Sequence, residues 1–392
     1  VEQYVEQFVN KTKSHATDAT LPSWTVKDYM NKLVNIPRLI ELVSNPFLLT
    51  LAMAALPKIV HSGQGLSTIR LTRVSMYDNF IEQWVETNKL RLQTVTLSAE
   101  AQYTFEALLD EGFVQQGIQY QKDLAAAIFQ HQGGNPVVEY SRIRENKSWK
   151  TSFFGSDALP TLLRESSPLS RSGNQYRFFH RSILEYLYSR VMSDPLESSR
   201  TSALTVSGAN EPVESFVSHP LNQGSIVGEP SIMQFLAERV ELDPPFKTRL
   251  LAAVDESKTD SGVSQAAANA ISILVKAGIQ FNGARLSGIR IPGADIRGGH
   301  FDSADLQGAD LIDVNLTKTW LRQANLNEAY MAGVQFGELP YLDVGEGGLQ
   351  CVFSSDDGLL AVSTKEDEVI VFNTATWTKV SNSLEETTTQ LK

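Results

Sequence analysis

Apolar residues recur at three- and four-residue spacings through the first part of the chain, which predicts amphipathic helices. Residues 1–68 carry this pattern, and within them Pro46 suits the first turn of a helix whose apolar run Pro57 closes. Further helices are expected at residues 98–109, with Ser98 as N-cap, and at 122–130. Residues 72–92 place an aromatic and apolar stripe on one helical face, which we interpret as core rather than as a cofactor site: Val74, Tyr77, Ile81, Trp84 and Val85.

The pattern changes between residues 149 and 192, where short aromatic runs alternate with Ser/Gly turns and a helix starts near His180. This arrangement predicts a small helical domain with a strand pair, the composition expected of a winged helix. Residues 193–230 are rich in Ser, Pro and Gly and predict a loosely packed connector. Three helices are then expected, around residues 232–242, 246–254 and 263–277.

A five-residue period begins at Phe281. Every fifth residue up to Phe336 is large and apolar, and a small or β-branched residue stands two positions before most of them. This period fits neither the 3.6 residues of a helix nor the 2 of a strand. It fits a square coil in which each five-residue segment forms one wall and buries both apolar positions. The large residues are Phe281, Leu286, Ile291, Ile296, Phe301, Leu306, Leu311, Leu316, Leu321, Leu326, Met331 and Phe336.

These positions resemble the pentapeptide-repeat family. The resemblance implies a right-handed quadrilateral β-helix with about four repeats per coil, so residues 281–340 would form roughly three coils. Stacking of the coils would bury one continuous core, in which Leu311 lies.

The C-terminal residues predict short strands at 349–353, 359–363 and 369–372, with Asp357-Gly358 as a hairpin turn. Residues 352–361 and 367–373 resemble one WD repeat, with Phe372 where tryptophan is usual. A single blade has open edges, and propellers need about four to eight blades. We therefore expect an incomplete propeller blade over residues 341–392, in a chain cut from a longer protein.

Composition and charge exclude several classes of function. The 34 Lys and Arg residues against 45 Asp and Glu residues leave a net charge of −11, which disfavours binding to nucleic acid or to an anionic membrane. No apolar stretch reaches the roughly 18 to 20 residues that a membrane span needs. The single cysteine, Cys351, fits a reducing compartment, so a cytoplasmic location is expected.

The motifs of common enzymes are missing from the sequence. The dipeptide Gly-Lys never occurs, so the chain holds no phosphate loop, and it holds no Gly-x-Ser-x-Gly elbow. The six histidines are widely separated, and none forms a sequence-local zinc pair. We expect no enzyme activity and no metal site in this chain.

Three segments of the first half carry a second resemblance. They are similar, in order and spacing, to landmarks of the NACHT group of signal-transduction (STAND) NTPases: residues 44–49 (SNPFLL), 71–80 (LTRVSMYDNF) and 178–187 (FFHRSILEYL). The resemblance implies that residues 1 to about 200 are the helical subdomain and winged-helix domain that follow a nucleotide-binding core.

In that family, the proline of the first landmark packs on the adenine of ADP and the histidine of the third reaches its phosphates. The resemblance therefore implies nucleotide contacts for Pro46 and His180. His180 opens a predicted helix, where backbone N–H groups and the helix dipole favour phosphate. The alternatives are a satisfied core histidine at 180 and a plain helix-start proline at 46.

The sequence thus predicts a multidomain α+β chain in five parts: a helical subdomain at 1–68, a winged-helix-like domain at 69–200, a helical connector at 201–280, the pentapeptide β-helix at 281–340 and a WD-like blade at 341–392. One hypothesis is the regulatory portion of a NACHT-type signalling protein, in which a longer parent chain would bind ADP or ATP and form a homo-oligomer. The other is a nucleotide-independent scaffold that binds protein partners through its helical and repeat surfaces.

Overall fold

The computed structural model describes residues 2–15, 24–35, 46–61, 72–141, 148–195, 216–337, 344, 348–356, 358–364 and 368–381. Five residues of the predicted motifs lie outside these ranges: Ser44, Asn45, Leu71, Asp357 and Asp367. The chain divides into two compact units, Val1–Gln335 and Phe336–Lys392, which are described separately.

The first unit begins with helices whose boundaries follow from local capping signals. Thr72 forms a capping box with Ser75, Ser98 caps the following helix as predicted, and Gly112 turns the chain with a φ of 98°. The helix predicted at 122–130 already begins at Phe113. The helices are α1 Glu2–His15, α2 Val26–Asn35, α3 Pro46–His61, α4 Arg73–Gln93, α5 Ala99–Glu111 and α6 Phe113–Gln132.

Pro57 does not end its helix, contrary to the expectation. It lies inside α3, which continues to His61. A proline inside a helix lacks the N–H that would bond the preceding turn. Leu49, Leu51, Ala52, Met53 and Leu56 are buried before it, so tertiary packing of this face outweighs the local cost of the proline.

A small three-stranded antiparallel sheet follows, in the order β1-β3-β2. The predicted strand pair is β2 and β3, and β1 adds to the far side of β3, with Val138 opposite Tyr176. The winged helix as a fold stays a prediction. The elements are β1 Val138–Glu139, α7 Trp149–Phe154, α8 Ala158–Glu165, β2 Leu169–Ser172, β3 Gln175–Phe178 and α9 Arg181–Ser193.

The connector is better packed than predicted wherever it is described. Phe216, Leu221 and Ile226 are buried, and Asn269 holds this segment through its side chain, accepting from the Ile226 amide and donating to the Leu221 carbonyl. Three short 3-10 turns, Phe216–Ser218, Pro220–Asn222 and Ser261–Val263, accompany three helices: α10 Pro230–Leu242, α11 Pro244–Glu256 and α12 Ser264–Lys276.

Residues 281–335 stack in a coil with a repeat of 20 residues. Parallel bridges join residues 20 apart, as in Arg285 with Asp305 and Asp305 with Asn325, so four five-residue segments separate stacked positions. The predicted large residues from Phe281 to Leu316 are buried, and Phe281 stacks on Phe301 with ring centroids 5.1 Å apart. Leu321, Leu326 and Met331 are partly buried, whereas Phe336, which belongs to the second unit, is 51% exposed, contrary to the prediction. The right-handed sense of a β-helix stays a prediction.

The corners of the coil have a backbone feature that the period of large residues did not predict. Every fifth residue from 283 to 333 has a positive φ, between 57° and 70°. Six of these residues are glycines, which adopt this conformation without steric cost, but five are Ser303, Asp313, Lys318, Gln323 and Glu328.

The described residues of the first unit form two hydrophobic cores. The first contains buried residues from Val5 to Leu187 together with Phe235 of α10. The second joins the end of α9 and the helices α10–α12 to the coil, from Met192 to Leu316. Ser257 and Ser272 of the helical part bond the backbone amides of Arg290 and Asp295, so these helices close one end of the coil.

The second unit contains a four-stranded antiparallel sheet in sequence order, one strand more than predicted: β4 Gly348–Phe353, β5 Leu359–Thr364, β6 Val369–Asn373 and β7 Lys379–Ser381. One face buries Leu360, Val362, Ile370 and Phe372. That this sheet is a propeller blade stays a prediction.

Candidate functional site

The three NTPase-like landmarks meet in space at the start of three helices. Pro46 is exposed and begins α3, and the ring of Phe47, the next residue, stacks on His180, with centroids 4.5 Å apart and planes 12° apart. Tyr77 of the second landmark donates a hydrogen bond of 2.5 Å to Ser182 of the third. Residues more than 100 positions apart along the chain therefore form one cluster.

His180 is the N-cap of α9, and its hydrogen bonds define its tautomer. Nδ1 accepts from the Ser182 backbone N–H at 3.2 Å and lies 2.6 Å from Ser182 Oγ. Because Tyr77 donates to Ser182 Oγ, the Ser182 hydroxyl hydrogen is available to Nδ1. Nδ1 thus acts as an acceptor, which assigns the proton of a neutral ring to Nε2.

This geometry bears on both interpretations of His180. Capping α9 and stacking on Phe47 account for a half-buried histidine without any ligand. The Nε2–H group has no hydrogen-bond partner among the described residues, so it is the part of the ring that can donate to an anion.

Aromatic rings extend from His180 along one face of α4. Phe47 contacts Phe80, Phe80 contacts Trp84, and Trp84 contacts Phe179, whose side chain is 48% exposed, with successive centroids 5.0 to 6.2 Å apart. Two buried nitrogen atoms on the same helix, Arg73 Nε and Trp84 Nε1, have no hydrogen-bond partner among the described residues. Tyr77 is fully buried, and burial raises its pKa to about 12.

A charged network lies behind this cluster and centres on Asp78. Asp78 Oδ1 accepts from the hydroxyl of Tyr186 and from Arg190 Nη1 at 2.6 Å, while Arg239 reaches both carboxylate oxygens at 3.2 Å. Tyr186 is buried against Tyr77, and its burial, followed by the charge of Asp78, raises its pKa.

Arg190 extends the network to a second carboxylate. It bonds Asp194 through Nε at 2.9 Å, and Lys122 of α6 bonds the other oxygen of Asp194 at the same distance. Burial alone would raise the pKa of Asp194, but the hydrogen bonds and charges of Arg190 and Lys122 outweigh it and lower the pKa. Sequence reasoning missed this network, because its only local signal is a charged residue beside a buried aromatic one.

The outer walls of the coil present a second candidate surface. His300 and Trp320 stack on one wall at 5.2 Å, and the Arg322 guanidinium lies 4.8 Å from the Trp320 ring centre while pairing with Asp302. The Trp320 side chain is 47% exposed, and Tyr330, two walls further along the coil, is 65% exposed. Both residues stand at bridge positions that are polar in most other repeats.

Comparison with known families agrees with the geometry of the coil. Residues 279–317 and 309–338 match the family model for pentapeptide repeats, with eight copies. These residues are pentapeptide repeats. The family comparison finds no NACHT, STAND or WD-repeat match in the chain, so those resemblances stay predictions. A search of curated proteins finds no match.

Within the described ranges, no group of three or more His, Cys, Asp and Glu residues is arranged to hold a metal ion. None of the described helices has both the length and the apolar character needed to cross a membrane.

Proposed function

We propose that this chain is a protein-interaction scaffold whose pentapeptide repeats present the binding surface. Two exposed aromatic positions on the coil carry this proposal: Trp320, with the Arg322 guanidinium beside its ring, on one wall, and Tyr330 two walls further along. Trp, Tyr and Arg are the residues most enriched among energetically important positions of protein interfaces. Stacked repeats hold such side chains on a rigid, extended surface.

The proposal predicts that specific protein partners no longer bind when these aromatic side chains are replaced by alanine. The full chain and its Trp320→Ala and Tyr330→Ala variants would be used to purify bound proteins from cells, with quantitative mass spectrometry as the readout. Tyr103→Ala is the matched control, because Tyr103 is a 77% exposed tyrosine on α5, outside the coil. Partners that are lost from the coil variants and kept by the control support the scaffold. Identical partner sets for all variants would refute it.

A nucleotide-responsive role is the second proposal, and it is supported by the meeting of Pro46, Phe47 and His180. An exposed proline, a half-buried aromatic ring and an Nε2–H group that has no partner among the described residues are compatible, at a helix N-terminus, with an adenine and a phosphate. Because the chain has no phosphate loop, the nucleotide core would belong to a longer parent in the cytoplasm, regulated through ADP and ATP and capable of forming a homo-oligomer.

This second proposal can be tested with calorimetric titration of ADP into the parent protein. His180→Asn is the sharpest variant, because asparagine still caps a helix but lacks the ring and its Nε2–H group. A fall in ADP affinity with unchanged melting supports the nucleotide contact. Unchanged affinity in the variant, or no ADP binding by the parent, would remove it.

A further inference from the structure

The two cores of the first unit meet at helix α10. Phe235 of this helix belongs to the first core, packing on Tyr77 and Tyr186 at 5.0 and 5.5 Å. Its neighbours Ile232 and Leu236 belong to the second core, which contains the coil. The orientation of the coil relative to the first core therefore depends on how α10 packs against α4 and α9.

Polar contacts of α10 with the first core concentrate on α4. Arg239 binds Asp78 through two nitrogen atoms, and the neighbouring Glu238 accepts from the Val74 backbone N–H at 3.4 Å, at the N-terminus of α4. The Arg239 side chain is 16% exposed, so its guanidinium depends on this carboxylate rather than on water.

The partners of Asp78 differ in what they would keep without it. Arg190 retains Asp194, which it contacts through Nε and Nη2. Arg239 has no other hydrogen-bond acceptor among the described residues. Loss of the Asp78 charge leaves α9 tied to α6 through the ion pair of Lys122 and Asp194, while it leaves a largely buried guanidinium of α10 unpaired.

We propose that Asp78 is a latch that holds α10, and with it the second core and the coil, in one orientation against the first core. This inference goes beyond the scaffold function and does not depend on which partner the coil binds. When the latch is released, α10 moves with α11, α12 and the coil, since these elements share one hydrophobic core.

Hydrogen exchange of the full chain with mass spectrometry tests the local part of this proposal. Asp78→Asn keeps the shape of the side chain but removes its charge and replaces one acceptor oxygen with a donor, at a site where donors of Tyr186, Arg190 and Arg239 converge. We expect amides of residues 230–242 to exchange faster by about 10- to 100-fold, the range that hydrogen bonds to a charged group supply. Residues 181–193 and 279–335 should keep their protection.

Two variants keep the test decisive. Arg239→Met removes the latch without leaving an unpaired charge, and it should also loosen residues 230–242 if Asp78→Asn fails to fold. Asp302→Asn makes the same chemical change in the coil, at the pair with the 72% exposed Arg322, and should leave residues 230–242 unchanged. The latch would be overturned if residues 230–242 of Arg239→Met exchanged at the wild-type rate, or if the exchange rate rose equally across the whole first unit.

The orientation of the coil against the first core is tested by measuring the distance between two spin labels. One label is attached to Ala107→Cys in α5 and the other to Gln307→Cys in the coil, and Cys351→Ser removes the native thiol. Both labelled positions are exposed. We expect a broader distance distribution in the Arg239→Met background and an unchanged one with Asp302→Asn. An unchanged distribution in Arg239→Met would mean that the pair supports α10 locally and does not set the orientation of the coil, which refutes the proposal.

Discussion

Gly298 and Lys318 occupy the same corner of the coil in successive turns, and both have a left-handed backbone, with φ of 67° and 58°. Adding a side chain at one of these positions and removing it at the other isolates the backbone contribution to the stability of the coil. The two changes are Gly298→Ala, which we expect to destabilise the coil, and Lys318→Gly, which we expect to stabilise it.

The size of both stability changes follows from the left-handed backbone conformation alone, because an added side chain meets no steric clash at this corner. A Cβ atom added at Gly298 meets no heavy atom within 4 Å outside its own neighbours. A residue with a side chain costs about 1–2 kcal/mol in the left-handed conformation, and alanine recovers about 0.4–1 kcal/mol by restricting the unfolded chain. With the middle values of these two ranges, Gly298→Ala should lose about 0.8 kcal/mol, and Lys318→Gly should gain a similar amount.

Hydrogen exchange of residues 279–335 is the assay, because it reports the opening free energy of the coil separately from the helices. Gly299→Ala is the control for steric effects. Its backbone φ is ordinary, but an added Cβ would lie 2.6 Å from the Phe301 ring and 2.9 Å from the Ile296 carbonyl oxygen, so it should cost more than Gly298→Ala. Full protection in Gly298→Ala, or reduced protection in Lys318→Gly, would refute the reasoning.

Three further predictions concern buried side chains. Leu311→Asp buries a charge in the coil and should abolish exchange protection of residues 279–335. Ile312→Asp, at the neighbouring residue, which is 38% exposed, should not. Equal effects of the two changes would contradict the assignment of Leu311 to the inside of the coil and Ile312 to its outside. Both polar atoms of the Gln121 side chain are buried and have no hydrogen-bond partner in the described part of the chain. Gln121→Leu should therefore stabilise the chain in urea unfolding by about 1–3 kcal/mol, and a loss of stability would reveal an unrecognised partner. The folded state lowers the pKa of Asp194, so its ion pairs stabilise the fold above the ordinary pKa of 3.8, and this stabilisation is lost as the pH falls through the lower pKa of the folded state. Asp194→Asn should therefore make the free energy of unfolding less dependent on pH below about pH 4. The same pH dependence in the variant and the wild type would count against the ion pairs.

The coil was accessible from the sequence because its information is periodic. In a stack with a 20-residue repeat, each side chain meets the residues one turn away, so an alternation of large and small residues every five positions specifies the walls and the core together. Ser98 as a cap and the start of α9 at His180 are equally local, because a cap acts on backbone groups two or three residues away.

Local signals were insufficient where tertiary packing competes with them. Pro57 is a helix breaker by propensity but lies within α3, whose apolar face is buried. The left-handed corners at Ser303 and Lys318 show no glycine signal, because stacking of neighbouring turns imposes the same backbone conformation on whichever residue stands there.

The candidate sites divide in the same way. The sequence by itself determined the repeat, its buried positions and two residues to inspect, Pro46 and His180. Only the tertiary structure decided that Phe47 stacks on His180 and that Asp78 is shared by Arg190 and Arg239, which lie 112 and 161 residues further along the chain. Pairing at such separations has no period along the sequence, since it depends on which helix faces meet after the cores have formed.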